Sequence, residues 1–580
     1  MKQAKFTFWA TSPYRLQVKM TIEGIEEDSI RLVLPRWRPG RYELGGFERN
    51  IRRVKFTTPD GNPIPAKKIS RNEWLVPTED LSTLICTYEY YASELNAGST
   101  YVDDSLLLIT FVNCCLYVPD KEYPVEVDLN IPTSWKAVST LTEREGNAWF
   151  AKDIDELFDS ALLASPSLVR HTFHVDDLFV GINFAGVFES IPINQISKDI
   201  ETIIKEAFSI FGHFPTQDFE FLYLIPPYRR YHGVEHLRGT VIMLGPAHHL
   251  FSSRLSGEFY TYKHFLGVSA HEFFHVWNVK SIKPQEFEQL NYASEVYTEM
   301  GFFLEGVTTY YGELLLLRTG LISLNTWAED FSRILTRFFQ NYGRFNKSLA
   351  ESSFDLWIDG YSQHIPHRTT SIYTHGALVT FLLDIHLRLE TNNRYSFDHL
   401  MCYLYHNYAL KGKGFTEEDL VNILGQWGGE KLKKLFRKYV FTMSDIEDDL
   451  KEALARIGTN MIKIPAEPYS SLLGFKVSQT GKVTYMLPGI SATTELAYGD
   501  HIIGVENILP DPSEIKHWLN YFVDHKREIV LIVKRANREL RVKVPVSSAP
   551  LIYNYIVTVE EATELRHNWL KSLQTQQICV

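Results

Sequence analysis

The sequence predicts a multidomain α+β protein in which two β-rich blocks flank a mostly helical one. Three observations carry this reading. At 580 residues the chain is too long for a single hydrophobic core. Apolar residues alternate with polar ones in the first and last blocks and recur at helical spacing between them. Hydrophobic residues make up 45% and charged residues 22%, a balance that fills cores without favouring disorder.

Residues 1–165 read as a β-rich N-terminal domain. Phe6-Thr7-Phe8-Trp9 is a cluster of strand formers, and Leu16-Gln17-Val18-Lys19-Met20 alternates as a half-buried strand does. Asp60-Gly61-Asn62-Pro63 marks a turn. Further strands are predicted at Cys86–Tyr91 and Val125–Leu129. Residues 166–460 form the helical block. Ile196, Ile200, Ile203, Ala207 and Phe211 share one helix face. Helices are also predicted over Tyr262–Lys280, Tyr297–Leu317 and Ser371–Leu389, with a strand at Phe219–Leu224. Residues 461–547 return to β character, with strands predicted at Ser471–Val477, Ile529–Val533 and Leu540–Val544. A tail, 548–580, carries a predicted helix over Glu560–Leu573.

The net charge of −11 argues against a nucleic-acid partner, which needs a basic face. No stretch approaches the roughly 20 apolar residues of a membrane span. Five cysteines without a Cys-x-x-Cys pair give no thiolate zinc site and no disulfide framework. The N-terminus lacks an apolar export signal. The expected location is cytoplasmic, or periplasmic if such a signal has been removed.

The chemistry concentrates at His271-Glu272-Phe273-Phe274-His275. On a helix, residues four apart share a face, with Cβ atoms about 5–6 Å apart. His271 and His275 can therefore grip one Zn²⁺. Glu272 lies one step round the helix and is long enough to serve as a general base beside the metal. A hydrolytic zinc site needs a third protein ligand. Glu295, Glu299 and Glu305 are candidates, and Glu305 is favoured because it falls inside the next predicted helix. Two histidines and one carboxylate leave the centre with a charge of about +1, still a Lewis acid.

The longer string His271 to Lys280, followed by Ile282-Lys283-Pro284, resembles the glycyl aminopeptidase family of zinc metallopeptidases, a gluzincin group. Leu34-Pro35-Arg36-Trp37-Arg38-Pro39-Gly40-Arg41-Tyr42 resembles its N-terminal signature, and Glu305 to Tyr311 its third-ligand segment. Ser371 to Leu378 is similar to its tyrosine segment, with His375 where the family pattern has Lys. The resemblance implies a thermolysin-like catalytic domain and a C-terminal PDZ domain. It implies Tyr373 as an oxyanion donor. Tyr231 to His236 resembles a Gly-Gly-Leu-Glu-His segment, with His232 in place of the first Gly. It implies Gly233 beside the substrate backbone and Glu235 on the free N-terminal ammonium. Leu472-Leu473-Gly474-Phe475 matches a PDZ carboxylate loop, so a peptide or protein C-terminus is an expected partner there.

The expected function is that of a zinc aminopeptidase acting on peptides and releasing small residues such as Gly or Ala. The other readings are a zinc endopeptidase and a PDZ-based peptide-binding protein with a degenerate active site.

Overall fold

The computed structural model describes residues 1–251, 261–360 and 365–573. In the N-terminal domain, strands β1 (Gln3–Ser12), β2 (Arg15–Glu23), β3 (Thr83–Tyr91) and β4 (Val125–Asn130) belong to a seven-stranded sheet, in the spatial order β4-β1-β2-β3. β1 runs parallel to β4 with Phe6 opposite Val127, and antiparallel to β2 with Phe6 opposite Met20. The alternation legible in the sequence puts Ala4, Phe6, Phe8, Val18, Met20 and Ile22 fully inside. The Leu34–Tyr42 segment reaches across to the next domain. The Arg36 N–H donates to the Tyr292 carbonyl at 2.8 Å and Trp37 Nε1 to the Asn291 carbonyl at 2.8 Å.

The second domain begins with a five-stranded sheet: β5 (Val169–Val175), β6 (Leu178–Gly186), β7 (Asp218–Ile225), β8 (Arg230–His236) and β9 (Gly239–Gly245). Its order is β5-β6-β7-β9-β8, so β8 is an edge strand, pairing antiparallel with β9. Four helices position the site or support it: α1 (Ile193–Phe211), α2 (Tyr262–Phe274), α3 (Gly301–Arg318) and α4 (Thr374–Glu390). Helix α2 stops at Phe274, six residues short of the predicted Lys280. Beyond it the turns tighten, with Val276 N–H on the Phe273 carbonyl and Trp277 N–H on the Phe274 carbonyl, both at 3.1 Å. Val279 then leaves helical space altogether at φ 105°. His275 keeps helical dihedrals (φ −60°, ψ −19°), so it stays on the face of His271.

Near the C-terminus, strand β10 (Thr459–Pro465) enters a smaller unit with its own core around Phe475, Leu519 and Leu531. The strand predicted over Ser471–Val477 is corrected here. Residues Pro468–Leu473 form helix α5, and only Phe475–Val477 is strand β11. Pro468 at the first helical turn and Gly474 in the left-handed region (φ 75°) are the physical reason. The stretch after 548 is not a loose tail. Strand β12 (Tyr553–Val559) pairs with β10 from Thr459↔Val559 to Pro465↔Tyr553. Helix α6 (Glu564–Leu570) inserts Trp569 into the core of the second domain. Residues 574–580 of the expected tail lie outside the described residues.

Trp569 is fully buried, donates Nε1–H to the Tyr310 hydroxyl at 2.7 Å and meets Trp327 edge-on at 5.1 Å. Tyr310 in turn donates to Asp384 at 2.7 Å, joining α3 to α4. Trp569→Ala is expected to lower unfolding stability by about 3–5 kcal/mol, through lost burial and the lost hydrogen bond to the Tyr310 hydroxyl. Urea unfolding checks this; a loss below about 1 kcal/mol, close to the range of surface mutations, would show that the Trp569 contact is dispensable. Among the described residues no helix is long and apolar enough to cross a membrane.

Candidate metal centre

His271 sits in the last turn of α2 and His275 caps it. Their Nε2 atoms lie 3.1 Å apart, and each is 3.6 Å from Glu305 Oε2 on α3. Of the three candidate carboxylates, Glu305 joins the histidines in a group that could hold a metal ion, and Glu295 and Glu299 do not. Glu305 and His275 are buried, whereas the His271 side chain is 18% exposed. His271 therefore marks the open side of the centre.

The supporting contacts were not legible as such. His275 Nδ1 lies 2.8 Å from the Asn278 carbonyl, so that bond places the proton on Nδ1 and leaves the Nε2 lone pair facing Glu305. The Asn278 amide donates to the carbonyls of Phe303 (2.9 Å) and Leu304 (3.1 Å) and to Thr308 Oγ1 (3.0 Å). It therefore ties the turn after α2 to the helix that carries Glu305. The signal was a buried-type Asn inside an apolar string, which sequence spacing alone does not distinguish from a cap.

Glu272 is buried, and one of its carboxylate oxygens has no hydrogen-bond partner. Burial pushes its pKa up to about 8, against the pull of His275. The two imidazoles diverge. Burial lowers His271, while at His275 the Glu305 carboxylate outweighs burial and raises it. Burial would raise Glu305, but the two imidazoles overrule it and hold the carboxyl down.

Edge strand β8 brings the other predicted residues in. Gly233 and Glu235 are two apart and face the same way. A Cβ on Gly233 would lie 2.1 Å from Glu272 Oε1, so only glycine lets strand and carboxylate approach this closely. Glu235, Glu272 and His275 have ligand atoms within 4.8 Å of one another. The N-terminal domain closes on the same point: Gly40, at φ 78°, would carry a Cβ 2.4 Å from Glu235 Oε1. His232 points to the N-terminal domain, where its Nδ1 accepts from the Ala97 N–H at 3.3 Å. Burial and the nearby Arg38 keep it neutral, lowering its pKa to about 3.

Tyr373 lies at the N-terminal end of α4. Helices α3 and α4 cross where Gly306 meets Gly376; a Cβ on Gly306 would be 2.5 Å from the Gly376 Cα and 2.9 Å from the Ile372 carbonyl. That close crossing brings the start of α4 beside Glu305. His375 is buried against Phe338 at 4.7 Å, and burial lowers its pKa to about 3. The position where the family pattern has Lys therefore carries no charge here.

Two histidines and a glutamate around one point, with a buried carboxylate beside them on the same helix, form a group that could hold a metal ion, as a metallopeptidase centre requires. Comparison with family models matches residues 264–379 to the M61 glycyl aminopeptidase domain and residues 5–166 to the M61 peptidase N-terminal domain. The chain thus carries both M61 peptidase domains and is a metallopeptidase. Among solved structures it is similar to an aminopeptidase N family protein from Idiomarina loihiensis, with 23% identity over 98% of this chain and 100% of that one. The TM-score of 0.90 shows a shared fold. It is also matched to an M1 zinc metallopeptidase from Deinococcus radiodurans, at 14% identity, 77% and 94% coverage and a TM-score of 0.45. No curated protein sequence matches the chain.

Proposed function

We propose that the protein is a zinc-dependent aminopeptidase that hydrolyses the N-terminal peptide bond of unblocked peptides. The observation that carries this is the placement of Glu235 beside Glu272 and His275. A carboxylate so close to the base has a ready partner in a substrate ammonium.

The donor set suits zinc. Ligands at 2.0–2.1 Å in a tetrahedron stand roughly 3.3 Å apart, and the three atoms here are separated by 3.1, 3.6 and 3.6 Å. The unpartnered oxygen of Glu272 is further support. His271, His275 and Glu305 would hold the ion, which when bound supplies Lewis acidity and water activation. Glu272 takes a proton from the attacking water and hands it to the leaving amine. Tyr373 donates its hydroxyl to the developing oxyanion. Glu235 holds the ammonium, so one residue leaves per turnover. The family resemblance adds small residues, Gly or Ala, as the expected leaving group.

The inserted unit fits a PDZ-like module in the succession of its strands and helices. Within its expected carboxylate loop, Leu472 to Phe475, the Gly474 N–H is engaged internally, donating to the Ser470 carbonyl at 3.0 Å. A peptide C-terminus docking there would have to displace α5.

Paired free and N-acetylated peptides test the function. The wild type should cleave only the free form. Glu235→Gln should lose about 1.5–3 kcal/mol of binding, roughly ten- to a hundredfold in kcat/KM on free peptides. Equal cleavage of both forms by the wild type would instead establish an endopeptidase.

A further inference from the structure

Glu235 and Gly40 also line a cavity of about 380 Å³ between the N-terminal and second domains. That volume falls within the range, about 300–1,000 Å³, of pockets that enclose whole small ligands. It far exceeds what the hydrogen of Gly or the methyl of Ala would need.

Its walls are built, not incidental. The rings of Trp37, Tyr42, Phe287 and Tyr292 line it. The polar ends of two of them are engaged: Trp37 Nε1–H on the Asn291 carbonyl at 2.8 Å, and the Tyr292 hydroxyl on Asp155 at 2.9 Å. The charged lining is largely paired as well. Asp159 binds Lys280 and accepts the Leu237 N–H at 2.9 Å, while Arg238 bonds Asp218 at 2.7 Å. Such pairing gives a charged guest few free partners.

Val279 lines the same cavity at φ 105°, a conformation that is a true outlier for a β-branched residue. Its N–H reaches the Ile282 carbonyl at 3.2 Å, and the Asn278 amide bonds and the Lys280–Asp159 ion pair fix its two neighbours. Strain of this kind persists where surroundings over-determine it, and it clusters at ligand-holding sites.

Glu235, the residue proposed to hold the substrate ammonium, lines this cavity. We infer that the cavity is the subsite for the side chain of the substrate's first residue, and that it takes bulky uncharged residues. This rests on the aminopeptidase reading and changes its expected substrate from Gly or Ala to larger residues.

Fluorogenic amides of Gly, Ala and Phe, with acetyl-Phe as a control, test this on the zinc-loaded full chain. The wild type should turn over the Phe amide with a kcat/KM at least equal to that on Ala. Leu290→Trp, which fills the cavity, should lower the Phe-to-Ala ratio of kcat/KM at least tenfold, roughly what pocket contacts discriminate. Leu237→Phe is a milder second variant with the same expected direction. Wild-type turnover confined to Gly and Ala overturns the inference. So does an equal loss on both amides in each variant when thermal unfolding shows the fold intact. Cleavage of acetyl-Phe amide as fast as Phe amide overturns the aminopeptidase reading itself, an outcome separate from the Phe-to-Ala ratio.

Discussion

Replacing Glu272 with Gln is expected to abolish hydrolysis while leaving the metal in place. The substitution keeps the shape of the side chain, so the close approach of Gly233 is undisturbed. His271, His275 and Glu305 are untouched, and the metal content should stay near one ion per chain, an approximate stoichiometry set by one three-residue centre. What disappears is the ability to accept a proton from water and release it to the leaving amine. Loss of a positioned acid–base group costs about 10²–10⁴ in rate. Elemental analysis and kcat on an unblocked peptide, measured together, check it. A variant with wild-type kcat would falsify the assignment of Glu272 as the base.

Glu305→Ala should do the opposite and lose the metal. Glu305 is buried, and its carboxylate is shared by both imidazoles at 3.6 Å. Two histidines alone offer neither the ligand count nor the charge of a stable zinc site. Without metal, removing one partner of a buried charge group costs about 3–5 kcal/mol. The variant should therefore purify without zinc, be inactive, and unfold at lower temperature than the chelated wild type. Full zinc occupancy would move the third-ligand role elsewhere.

The helix that carries the candidate site was legible because its pattern is local. His271, Glu272 and His275 fall within one and a half turns, so periodicity alone places them. Glu305 was legible because it too lies mid-helix, in a segment with a family likeness. Glu235 and Gly233 depend on β8 being an edge strand, and a strand's place in a sheet is not written in its own residues. Gly40 and Asn278 were invisible as site residues, since each acts through a contact between distant segments. The strand predicted at Ser471 shows a different failure. Its apolar residues fit either period, and the flanking Pro468 and Gly474, which mark helix ends, were the better guide. The stretch after 548 is polar and short-patterned, so nothing local announces that Trp569 completes a core built mainly from residues before 460.

The pairing of β10 with β12 has a consequence for how a newly made chain comes to life. The smaller unit lies between the two arms of this pair, so the catalytic core is discontinuous in sequence. At roughly 5–20 residues per second, α6 follows β10 out of the ribosome after on the order of ten seconds. Over that interval the N-terminal sheet is already complete, yet Tyr310 lacks the indole that fixes it and α3 is unsupported on one side. The proposed metal ligands are all synthesised early; the packing around the Glu305 helix is finished late. A nascent chain thus carries its candidate site residues before the last side chain packed against the Glu305 helix has been made.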